Sequence, residues 1–170
     1  MTNRPILLVL SLLATPLSVG AQEPIVQSLR GLFDVTKQNI MATALDLDEE
    51  MYAYRPTDVV RSTGEILAHI ADGQMQFCSA AAGESLPDRD SFEQQRLTKA
   101  GTITALESGF AYCEGVFDGT TDADAGRPVE FIGPSTVAGV LAFNSAHNYE
   151  HYGNLVTYMR LNGIVPPSSR

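Results

Sequence analysis

The chain carries 11 Lys and Arg against 20 Asp and Glu over 170 residues, a net charge of −9. Its length fits one domain, for which roughly 100–200 residues is usual, and is enough to bury a core without staples. The acidity argues against binding nucleic acid or an anionic lipid surface, because both need cationic patches that displace counterions.

The first 21 residues, MTNRPILLVLSLLATPLSVGA, hold one Arg, an apolar run that starts at Ile6, Pro16, and small residues up to Ala21. A basic start, a short apolar stretch and a small-residue end define a secretory signal peptide, and the run falls short of the ~20 apolar residues of a spanning helix. Cleavage is expected after Ala21, which leaves residues 22–170 as one domain, periplasmic or secreted. No second long apolar segment follows, so no membrane span is expected after cleavage. Cys78 and Cys113 both lie in the exported part. An oxidising compartment lets them pair; the competing reading is two buried thiols that behave as small apolar groups.

Apolar stepping at Leu29, Phe33, Thr36, Ile40 and Ala44 predicts a first helix of about 20 residues, with Pro24 near its start. Residues 45–61, LDLDEEMYAYRPTDVVR, read as a connection. Ser62 and Glu65 then form an S-x-x-E capping box ahead of a second helix over residues 63–81, which Gly83 and Pro87 stop. Asp90 or Ser91 caps a third helix whose inward stripe is Phe92, Ile103, Leu106, Phe110, Cys113 and Phe117. Residues 118–134 are polar and turn-rich and read as a loop. The fourth helix runs from Ser135 to Gly163, beyond which Pro166 and Pro167 prevent continuation.

Four helices of similar length imply an all-α four-helix bundle. Its connectivity depends on the cysteines. In an antiparallel pairing of the second and third helices, the rise from Ser91 to Cys113 would put the sulfurs ~33 Å apart, whereas a disulfide needs Cα atoms within about 7 Å. A bonded pair therefore favours parallel second and third helices, the up-down-down-up arrangement.

The chain has three histidines, and all of them interrupt inward helical faces. His147 and His151 are one turn apart within the stripe Val140, Asn144, His147, His151, Leu155 and Tyr158, and His69 shares a face with Ile66 and Gly73 on the second helix. Burying an imidazole costs stability unless its nitrogens are satisfied. Taken singly, each is a core histidine bonded to a neighbour. Taken together, three neutral imidazoles with an open fourth position are the donor set of a catalytic zinc-type site.

YAYRPTDVVRSTGEILAHIADGQ, followed by HNYEHYGNLVTYMRLNGIVPPSS, resembles the DinB-like superfamily of metal-binding four-helix bundles, also called YfiT-like. The likeness rests on Tyr52, Tyr54, Arg55 and Pro56, on residues 64–69, and on His147, His151, Tyr152, Gly153, Leu155, Tyr158, Arg160, Gly163, Pro166 and Pro167. It implies the up-down-down-up bundle, a divalent metal, nickel or zinc, held by His69, His147 and His151, and a homodimer. It also implies a metal-dependent transferase or hydrolase related to thiol S-transferases, acting on a small molecule whose identity the resemblance does not give.

Glu150 is the acid or base nearest the histidines in sequence, though it lies 100° round the helix from His151. Asp72, one turn past His69, is placed to orient an imidazole, and Tyr149 and Tyr152 either line the site or pack. HNYEH also fits the H-x-x-E-H pattern of inverzincin proteases, with Glu150 as general base. Two readings need no chemistry: a metal- or ligand-binding bundle, and a buried histidine network that is purely structural.

Overall fold

The stepping of the first apolar stripe becomes helix α1 (Ile25–Asp46), with Phe33, Thr36, Ile40, Thr43 and Ala44 buried along it. The computed structural model describes residues 24–86 and 90–170, so the expected signal peptide and Pro87 lie outside the described residues. The stretch read as a connection holds one more helical turn, α2 (Glu49–Ala53), because Asp48 accepts the Met51 N–H and starts it. The Tyr52 hydroxyl donates to the Ala44 carbonyl at 2.7 Å and ties this turn back to α1.

Helix α3 (Thr63–Ala82) opens on the expected capping box. Ser62 accepts from the Glu65 N–H while the Glu65 carboxylate accepts from the Ser62 N–H, and Gly83 closes the helix in the left-handed region. Helix α4 (Lys99–Gly119) begins later than the sequence suggests. Ser91 does accept the Gln94 N–H as a cap would, but the turn does not propagate. Arg96 sits at φ 48°, outside helical space, and Thr98 caps the true start by accepting from Gly101.

The expected loop at residues 118–134 contains a short antiparallel hairpin, β1 (Pro128–Glu130) paired with β2 (Pro134–Thr136), and Thr136 caps helix α5 (Val137–Leu161). The last helix therefore starts at Val137 rather than Ser135. It ends at Leu161, where Gly163 at φ 71° lets its own N–H reach the Arg160 carbonyl and the Ile164 N–H reach Met159. A 3-10 turn, Pro167–Ser169, ends the chain.

The chain directions follow from paired residues. Arg30 meets Asp118 and Lys37 meets Glu114, so α1 and α4 are antiparallel. Gln74 bonds Asn148 and Asn144, and Phe77 packs on Phe143, so α3 and α5 are antiparallel as well. Cys78 and Cys113 are joined with Cα atoms 5.3 Å apart, which makes α3 and α4 parallel neighbours. The result is an up-down-down-up four-helix bundle, in which the connection from α3 to α4 joins two parallel helices. Phe33, Ile40, Leu67, Ile70, Leu106, Phe110, Leu141 and Leu155 fill its centre. Among them lies one polar layer of fully buried residues: Gln74 donates to Asn148, Asn148 to Thr36, and Asn144 to Gln74. Such a layer is tolerated in a core because its members bond one another, although Asn144 Oδ1 is left without a partner. No described helix is long and apolar enough to cross a membrane.

Candidate metal centre

One turn from the polar layer, α3 and α5 bring all three histidines together. His147 Nε2 lies 3.2 Å from His69 Nε2 and 3.1 Å from His151 Nε2, and the three candidate ligand atoms all fall within 4.8 Å of one another. A tetrahedral ion with bonds of ~2.0–2.1 Å to imidazole nitrogen would separate its ligands by about 3.3 Å, close to the two shorter separations.

Gly73 makes this convergence possible. A Cβ at that position would stand 2.7 Å from His147 Cε1, so only a glycine on α3 lets the imidazole of α5 lie against it. On the other side, His147 packs edge-on against Phe77, which in turn touches Phe131 from the hairpin and Phe143. This aromatic wall keeps water from one flank of the cluster. Burial, reinforced by the neighbouring His151, His69 and Arg61, pushes the His147 pKa down to about 3. Burial is also the largest cause lowering that of His151, opposed by the carboxylates of Glu150 and Glu93. Both rings are thus neutral at pH 7, the protonation state a ligand requires. Their Nδ1 atoms are buried and have no hydrogen-bond partner.

His69 has a partner that the sequence did not suggest. Glu93 Oε2 lies 3.2 Å from His69 Nδ1, while Arg61 donates to the same carboxylate at 2.7 and 3.4 Å. Asp72, expected to touch an imidazole, instead accepts the backbone N–H groups of Phe92 and Glu93 at 2.8 and 3.0 Å. It acts through the chain, fixing the segment that delivers Glu93. A carboxylate on Nδ1 holds a histidine in the tautomer whose Nε2 lone pair faces inward.

The remaining residues singled out from the sequence are placed as follows. Glu150 is exposed on α5, and its charge reaches His151 without a hydrogen bond to it. Tyr149 is 43% exposed. Tyr152 is buried, and its hydroxyl donates to Ser168, so it fastens the C-terminal turn rather than lining the cluster. A cleft of about 460 Å³ lies beside His151, bordered by Val59, Val60, Arg61, Ile66, Glu93, Asn154 and Tyr158.

Comparison with known proteins places this geometry in context. A family model described as the DinB superfamily matches residues 32–155. A DinB-like protein from Bacillus cereus is 15% identical, with a TM-score of 0.67 over 83% of this chain and 95% of that one. Another, from Bacillus subtilis, is 18% identical, with a TM-score of 0.64 over 80% of this chain and 92% of that one. A mycothiol-dependent maleylpyruvate isomerase is 14% identical, with a TM-score of 0.63 over 76% of this chain and 60% of that one. No curated protein matches the chain.

Proposed function

The chain belongs to the DinB superfamily, and on that premise we propose that His69, His147 and His151 hold a divalent metal, nickel or zinc, at the centre of a metal-dependent transferase or hydrolase for a small molecule. The observation that carries this reading is the meeting of three imidazole Nε2 atoms, two of them on rings kept neutral by burial. When bound, such an ion supplies a Lewis acid with an open position, at which a water or thiol loses its proton more readily. The chain's own part is positional. Glu93 keeps the His69 lone pair turned inward, Arg61 steadies Glu93, and Phe77 with Phe131 and Phe143 shuts water out behind His147.

The fold shared with a mycothiol-dependent isomerase is the reason to screen low-molecular-weight thiols first. Export to the periplasm or beyond is part of the same proposal, supported by the leader-like residues 1–21 and by the Cys78–Cys113 bond. Glu150 is exposed, so the protease-type base role has less support than a substrate-activating metal.

Elemental analysis of the dialysed mature protein, beside a His69→Ala/His147→Ala variant, tests the assignment. About one equivalent of nickel or zinc, lost in the variant, is expected. No metal in either protein after incubation with divalent ions would make the histidines structural and end the enzymatic reading.

A further inference from the structure

The cleft beside His151 holds more hydrogen-bond donors than the protein itself uses. Arg61 has five N–H groups, and its contacts to Glu93 engage only Nε and one terminal nitrogen, at 2.7 and 3.4 Å. The Arg61 side chain is itself 43% exposed at the rim, and its remaining donors make no hydrogen bond among the described residues. Asn154, one turn beyond His151 on the same helix, is exposed and makes no side-chain hydrogen bond among the described residues. The Glu93 carboxylate already accepts from Arg61 and lies against His69, and the Tyr158 hydroxyl spends its proton on the Arg61 carbonyl at 3.0 Å. Val60 and Ile66 supply a short apolar wall between these groups.

We propose that this cleft is the substrate subsite and that it takes a short aliphatic carboxylate, anchored by the free face of the Arg61 guanidinium and by the Asn154 amide. Surplus donors call for an oxyanion, and a planar guanidinium matches a carboxylate with two parallel bonds. Glu93 is what makes Arg61 a fixed anchor rather than a mobile surface charge, since it holds one edge of the guanidinium and leaves the other outward. The apolar wall limits the ligand's body to a few methylenes. This inference rests on the metal reading for its catalytic meaning, but the anchor itself consists only of protein groups.

Butyrate and its uncharged counterpart butyramide are the probes. In the cobalt-loaded mature protein, butyrate is expected to perturb the visible cobalt spectrum saturably and butyramide to leave it unchanged. Arg61→Gln at saturating cobalt should weaken butyrate about tenfold or more, as loss of a charge-assisted pair requires, with Arg61→Lys recovering part of the affinity. The same titration is followed by the backbone amide shifts of Val60 and Asn154 in metal-free protein, which reads the anchor without any metal. If cobalt does not bind but those shifts persist and vanish in Arg61→Gln, the metal reading fails and the subsite stands. Equal binding of butyrate and butyramide, undiminished butyrate binding in Arg61→Gln, or no shift at Val60 and Asn154 would overturn the subsite.

Discussion

Glu93 reaches His69 across 24 positions of chain, from a segment without regular structure, and nothing in its sequence surroundings marks it as a site residue. The histidines were legible for the opposite reason. Each stands where a regular helix demands an apolar side chain, so the departure from period shows in the sequence alone. Gly73 could be placed on the histidine face, but its purpose depends on His147, far along the chain on α5. Replacing Glu93 with Gln should weaken metal binding roughly 10–100-fold, as loss of a carboxylate behind a ligating histidine does, with Glu93→Asp partly recovering it. Competition against a chromophoric chelator measures this, and unchanged affinity in Glu93→Gln would show that His69 needs no such support. Gly73→Ala should be more severe, because its Cβ would stand 2.7 Å from His147 Cε1 and displace the ring. The folded-state pKa of His147 is lowered to about 3, so the unfolded chain takes up the proton first. Metal-free protein should therefore lose stability as pH falls below ~6.5, the unfolded value. Chelated thermal melts between pH 7.5 and 5 check the sign, and His147→Gln should flatten the slope.

At the scale of elements, periodicity found the long helices because each buries a continuous stripe, and the capping box at Ser62 and Glu65 fixed the start of α3. It misplaced the start of α4 because Ser91 is a competent cap for a turn that goes no further. What ends it is the backbone at Arg96, which turns through positive φ; Asp72 of α3 meanwhile accepts the N–H groups of Phe92 and Glu93, which a helix starting there would leave unpaired in any case. The hairpin escaped notice because three-residue strands leave no alternation to read. The hold of Asp72 on this segment keeps Glu93 beside His69. Asp72→Asn should speed hydrogen exchange at the Phe92 and Glu93 amides and weaken metal binding in the direction of Glu93→Gln, while leaving the helical content of α3 unchanged. Faster exchange without any loss of metal affinity would uncouple the crossover from the site.

For the whole molecule, α3 is the hub, fastened to its parallel neighbour α4 by the Cys78–Cys113 bond and, on the proposed reading, to antiparallel α5 by the metal. Removing a disulfide that closes a loop of this kind costs about 2–4 kcal/mol. Removing a ligand present at a hundred times its Kd costs about 2.7 kcal/mol. His69 and Cys78 are nine residues apart on one helix, ~13 Å at 1.5 Å per residue, beyond the range at which two perturbations ordinarily interact. Between them, however, lies the buried layer of Gln74, Asn144 and Asn148, and the Asn144 amide also touches both sulfurs, at 3.5 and 3.4 Å. Because Gln74, Asn148 and Thr36 bond one another independently of the sulfurs, the layer should survive loss of either link. The cost of chelation and that of Cys78→Ala/Cys113→Ala are then expected to add within ~0.5 kcal/mol in denaturant titrations. A combined loss well above the sum would mean that the layer is held in place by both links, and that oxidation of the cysteines tunes the metal site through Asn144.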